Sequence, residues 1–149
     1  MSIIYSYPYT DFAEQSGKIT LSTGPVIVNK EGTKVLLHLS ETTHQYQFIG
    51  GRYDDTLNFR ENALARAQEV IGGNKITLSE KDPLVLLGEI IREHDEEKIM
   101  LVHYLGSIED EENVGEAQWF TREEVTMLDA ENKTSSENVK IATDFFLAK

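Results

Sequence analysis

The chain has 149 residues, no cysteine, and 26 acidic against 14 basic side chains, for a formal net charge of −12. That length suits a single domain, 1–149, with its own core, and the lack of thiols excludes disulfides, thiol catalysis and zinc–thiolate sites. The acidic balance excludes general binding to a nucleic-acid polymer, which needs a basic face, but leaves room for a small phosphorylated ligand held by a few arginines and backbone amides.

No apolar run is long enough to span a bilayer, and Met1–Ile4 lacks the basic start and apolar stretch of a signal peptide, so the expectation is a cytoplasmic protein with no membrane partner. Tyr5, Tyr7 and Tyr9 alternate with small or polar residues and Pro8 lies among them, which predicts an edge strand whose aromatic face covers the core or serves a homodimer contact. Asp11–Thr23 reads as a loop with a short strand at Lys18–Leu21. Gly24–Val28 reads as a strand, Asn29–Gly32 as a hairpin turn, and Thr33–Leu39 as the returning strand. Ser40–Gln45 is a polar loop, and Tyr46–Ile49 leads into the pair Gly50–Gly51.

The stretch that follows organises the chain. Phe59, Ala63, Ala67, Val70 and Ile71 recur at helical spacing, and Asn58 with Glu61 forms a capping box, so the helix should start at Phe59. Gly72–Gly73 should end it, since glycine accepts a left-handed C-terminal conformation cheaply. Lys75–Leu78 is a short strand. Leu84–Arg92 and Lys98–Leu105 form a second hairpin about the charged turn His94–Glu97, and Glu109–Glu112 is an acidic loop. Gly115–Phe120 is a strand ending in the aromatic pair Trp119–Phe120. Thr121 with Glu124 caps a short helix to about Leu128, and Thr134 with Glu137 caps a last helix, whose face of Val139, Ala142, Phe145 and Phe146 should pack on the core.

The segment Gly51–Gly73 resembles a Nudix box, whose pattern is glycine, five residues, glutamate, seven residues, Arg-Glu-apolar, one residue, Glu-Glu, one residue, glycine. With its first glycine on Gly51 the last falls on Gly72 without a gap, but the pattern is degenerate. Leu57 stands at the loop glutamate, Ala65–Arg66 at the Arg-Glu pair, and Glu69–Val70 at the Glu-Glu pair. The strand hairpin leading to Gly50–Gly51, Arg52 beside it, and the run from Glu116 to Val125 also resemble this family, so the likeness covers roughly 24–149, with 1–23 an N-terminal strand and loop. It implies an α/β fold, a Nudix-like α/β/α sandwich with a mixed, curved sheet between helices.

The resemblance further implies a Mg²⁺- or Mn²⁺-dependent hydrolase of nucleoside diphosphate derivatives, in which helix carboxylates hold a hard divalent ion against the diphosphate. Here that helix face carries Arg66, Glu69 and Val70, so Glu69 is the one retained carboxylate and the catalytic candidate. Arg66 puts a fixed positive charge where a cation would sit. Three readings stay open. The first is a non-standard or inactive hydrolase that binds a nucleotide-like or phosphorylated ligand through Gly50, Gly51, Arg52, Arg66 and Trp119. The second is an active enzyme whose Mg²⁺ or Mn²⁺ is held by Glu69 with loop acids such as Asp54, Asp55 and Glu116. The third is a protein-interaction module. Local readings compete with these: Arg66 and Glu69 as an ion pair at i,i+3 spacing, and Trp119 as a core or wall residue. His38, His44, His94 and His103 show no paired metal spacing, and the glycine pairs match neither dinucleotide nor Walker spacing.

Overall fold

The computed structural model describes residues 3–5, 19–52, 56–92, 95–135 and 137–147. Tyr7, Tyr9, Asp54, Asp55 and His94 lie outside the described residues, as does the side chain of Arg52. The elements run β1 (Ile3–Tyr5), β2 (Ile19–Ile27), β3 (Lys34–Leu39), β4 (Tyr46–Gln47), β5 (Gly51–Arg52), α1 (Phe59–Ile71), β6 (Ile76–Leu78), β7 (Leu84–Arg92), β8 (Asp95–Ile108), β9 (Gln118–Thr121), α2 (Arg122–Ala130) and α3 (Glu137–Phe146). No helix among the described residues is long and apolar enough to cross a membrane.

The larger sheet runs β1-β7-β8-β2-β5, with β6 also on β8, and the smaller runs β4-β3-β9. It is a mixed sheet, because β2 and β8 run parallel from Ile19↔Lys98 to Ile27↔Gly106 while its other pairs are antiparallel. Strand alternation explains how both faces are filled. Val26, Leu84 and Leu86 point into a core shared with Val35, Leu37, Phe120 and, from α2 and α3, Val125, Val139 and Ala142. Val85, Met100 and Val102 point the other way, against Ala63 of α1, and Ile27 and Leu36 join Ala67 and Ile71. One helix thus covers one face and two cover the other, an α/β/α sandwich.

Several local expectations are corrected by pairing. Of the loop expected at Asp11–Thr23 with its short strand at Lys18–Leu21, residues 11–18 lie outside the described residues, and Ile19–Thr23 belong with Gly24–Ile27 to one nine-residue strand, β2. Pro25 is tolerated within it because Val28 donates to Gly106 of β8, so by alternation the Pro25 nitrogen faces away from β8, on the side where β5 has already ended at Thr23. The turn after β2 forms as expected, with Gly32 at φ 73° and Asn29 Oδ1 accepting from Thr33 and Lys34. A regular hairpin does not follow: after one bridge, Val28↔Val35, β3 departs to pair with β9 and β4 in the other sheet.

The second hairpin is tighter than its charges suggest. Arg92 pairs with Asp95, so Asp95–Glu97 belong to β8, which continues to Ile108. Gly115 takes φ 59° in a turn, so β9 starts only at Gln118. Helix α2 runs on past Leu128 to Ala130, with both halves of the Thr121–Glu124 capping box in place.

Thr134 does not open the last helix. It bridges Tyr46 and its hydroxyl donates to Asp129, and α3 begins at Glu137. On α3, Val139 and Ala142 are buried and Phe146 is partly so, but Phe145 is 55% exposed; Thr143 and Leu147 fill the face instead.

Candidate functional site

Strand β2 is the scaffold of the site. Ser22 and Thr23 pair with Arg52 and Gly51. The buried Thr23 hydroxyl lies 3.2 Å from the Val102 carbonyl and 3.3 Å from that of Phe59, both acceptors within its reach. The chain therefore leaves β2 at Arg52 and returns to it at the first residue of α1. The approach to this loop is tight: a Cβ added at Gly24 would lie 2.1 Å from the Ile49 carbonyl oxygen, and one at Gly50 would lie 3.2 Å from that of Thr23. Glycine at 24 is a condition of this backbone crossing rather than a turn preference.

Helix α1 starts where the sequence places it. Asn58 accepts from the Glu61 amide at 2.8 Å, and Glu61 accepts from the Asn58 amide at 3.1 Å. Asn62 is fully buried, its Nδ2 donating to the Leu57 and Asn58 carbonyls, which closes the loop onto the helix. Arg60 donates to the Leu78 and Ser79 carbonyls at 2.7 Å each, and its guanidinium lies 5.9 Å from the Tyr104 ring centroid. Gly72 is not left-handed (φ −56°). The positive φ falls one residue later, at Gly73 (97°).

On the helix face, Arg66 Nη1 donates to Glu69 Oε1 at 2.6 Å. Arg66 keeps 23% of its side chain exposed and Glu69 61%, while the Arg66 Nε is buried and has no hydrogen-bond partner among the described residues. The local ion pair expected from their spacing is thus formed. Val70 is half-buried and packs on the Ile71 cluster.

A second wall comes from the loop after β8. The buried Asn74 side chain donates to the Asp110 and Asn113 carbonyls and accepts from the Asp110 amide. Lys30 Nζ donates to the Glu109 carbonyl, and the Lys30 amide donates to the Glu111 carboxylate. A Cβ at Gly115 would sit 3.3 Å from the Val70 carbonyl, which places exposed Glu116 on a loop beside the end of α1. Trp119 is half-buried against the Ile27–Ala67–Ile71 cluster, and its indole donates to the Glu111 carbonyl at 2.8 Å. It stands as a wall.

The donor set does not fit a divalent ion on α1. Of the two carboxylates of α1, Glu61 is held in the capping box and Glu69 is engaged by a guanidinium, and among the described residues no three His, Asp or Glu side chains converge. In the loop after β8 the Glu111 carboxylate accepts from the Lys30 amide and the Asp110 carboxylate accepts from the Glu112 amide. The histidines lie elsewhere. His38 sits in β3 beside Gln47, its pKa lowered by burial and partly restored by a hydrogen bond to the Phe48 backbone. His44 is in the exposed loop at φ 57°. His103 is buried against Phe48, and burial pushes its pKa down to about 4 despite a hydrogen bond with the Gly24 backbone.

Sequence reasoning singled out the two glycines, Arg66, Glu69 and Trp119 but missed Thr23, Asn62 and Asn74, which hold the loops. Asn62 and Asn74 carry no local signal, because a polar residue on a helix or after a glycine ordinarily faces water. Gly24 had one, a Gly-Pro step within a strand-forming run.

No family model and no curated protein matches this sequence. Solved structures do match in shape. A Nudix hydrolase of Clostridium perfringens superposes at a TM-score of 0.61 with 19% identity, over 86% of this chain and 95% of that one. An Ap4A hydrolase of C. elegans gives 0.61 with 16% identity, over 87% and 96%. A Nudix hydrolase from Nitrosomonas europaea gives 0.62 with 13% identity, over 88% and 89%. The fold of this chain is that of the Nudix hydrolases.

Proposed function

We propose that this protein is a non-standard or inactive hydrolase that binds a nucleotide-like or phosphorylated ligand without a metal cluster on α1. The observation that carries this reading is the Arg66–Glu69 ion pair. It occupies the helix face with a guanidinium, and it spends on that guanidinium the one carboxylate a divalent ion would need. Guanidinium and metal are alternatives there, since two cations a few ångströms apart repel. The ligand class is supported by the fold neighbours, one of them named an Ap4A hydrolase, and by the candidate residues Gly50, Gly51, Arg52 and Arg66, which offer backbone amides and two guanidinium cations in an otherwise acidic chain. The fold alone does not carry an activity, so the residues decide between its uses.

The test is a hydrolysis panel of nucleoside diphosphate derivatives with Mg²⁺ or Mn²⁺, run beside Glu69→Gln, followed by a thermal-shift screen of the same compounds. No turnover together with a rise in melting temperature for phosphorylated compounds is the expected result. Metal-dependent turnover that disappears in Glu69→Gln would replace this reading with an active enzyme whose metal is held by Glu69 and loop carboxylates such as Glu116. Neither turnover nor any shift, with a stable protein partner in pull-down, would favour an interaction module.

A further inference from the structure

We infer that the Arg66 guanidinium is itself the oxyanion-binding group of this chain, taking a phosphoryl group side-on through Nε and Nη2 with no divalent ion between them. This rests on the phosphorylated-ligand reading above and names the group that makes the contact.

A guanidinium offers five N–H donors in a rigid fork. In Arg66, Nη1 is committed to Glu69 at 2.6 Å, while Nε is buried with no acceptor among the described residues. A folded interior rarely leaves such a charged donor unmet, and a ligand or an ordered water is the ordinary resolution. The unmet edge, Nε–H with Nη2–H, is the one whose two parallel bonds match two oxygens of a phosphate. Arg60, the other arginine of α1, is different: its donors go to Leu78, Ser79 and Glu80.

The platform under Arg66 is rigid. Helix α1 is pinned by the Asn58–Glu61 box, by the Thr23 hydroxyl beside the Phe59 carbonyl, and by Arg60 on β6, so the guanidinium is presented by a fixed element rather than a loop. The side chain as a whole keeps 23% of its surface exposed while Nε is covered, so binding includes a turn of the guanidinium that brings this edge to the incoming oxyanion. Glu69, 61% exposed, is free to follow or release. It competes with the ligand for the same cation, and this gives the inference a signature opposite in sign to that of a metal site.

The experiment is calorimetric titration of pyrophosphate and of ADP into the full chain in excess EDTA, for wild type, Arg66→Met, Arg66→Lys and Glu69→Gln. Wild type is expected to bind without metal. Arg66→Met should weaken binding at least tenfold, and Arg66→Lys, which keeps the charge and the stem but loses the fork, should weaken it less. Glu69→Gln should bind as tightly or several-fold more tightly. Binding that requires Mg²⁺, an Arg66→Met affinity within twofold of wild type, or a tenfold loss in Glu69→Gln would each overturn the inference while leaving a phosphorylated ligand in place. Failure of wild type to bind either compound, with or without Mg²⁺, would overturn both.

Discussion

Arg66 and Glu69 face each other across one turn of α1 at 2.6 Å, so the helix face that would present carboxylates to a cation presents an internally neutralised pair. Both groups reach solvent, and the pair contributes little to folding. A double-mutant cycle of Arg66→Met and Glu69→Gln by urea denaturation should return a coupling of about 0.3–0.5 kcal/mol, the value of an ordinary helix-surface pair. A coupling several times larger would mean that the pair is buried in solution.

The protein should lose stability as pH falls from neutral through the range set by His103. Its folded pKa of about 4 lies below the ordinary 6.5, because burial disfavours the charged ring. The unfolded chain therefore takes up a proton that the folded one refuses. The stabilisation is fully present above pH 6.5 and is lost as pH falls through 4, amounting to about 3 kcal/mol in all. Urea unfolding midpoints at intervals between pH 4 and 7 measure this, and His103→Gln should flatten the slope.

Asn74 is expected to be the keystone of the acidic loop. Its amide makes three hydrogen bonds to Asp110 and Asn113, all lost in Asn74→Ala. The expected cost is about 2–3 kcal/mol, because loop carbonyls are left without their donor. Hydrogen exchange should show faster amides at 110–113 with little change in β7 and β8.

Gly24 should tolerate no side chain. Its added Cβ would meet the backbone carbonyl of Ile49 at 2.1 Å, and a backbone atom cannot swing aside as a flexible side chain would. Gly24→Ala should cost about 3 kcal/mol or more by denaturant titration. Gly32→Ala is a useful contrast: its cost should come from the φ of 73° alone, since no atom lies within 4 Å of the added carbon.

What the sequence by itself determined is what depends on neighbours a few residues away. The start of α1 at Phe59, the capping boxes of α1 and α2, the turn at Gly32 and the Arg66–Glu69 pair all involve partners three to five residues apart, so spacing was enough to find them. The third capping motif failed for the same reason in reverse. Thr134 was claimed by Tyr46, far away in the chain, before it could cap a helix.

Only the tertiary structure decided which strands meet: that β2 and β8 lie parallel, that β3 leaves its neighbour for the other sheet, and that Gly24 must pass under Ile49. It also buried Asn62 and Asn74 and left Phe145 in solvent, because burial is set by what packs opposite a residue rather than by its own polarity. The same holds for the orphaned Nε of Arg66, which spacing along a helix could never disclose. Local pattern placed the guanidinium on the same helix face as Glu69, and the packing around it determined which of its donors found a partner and which was left unmet.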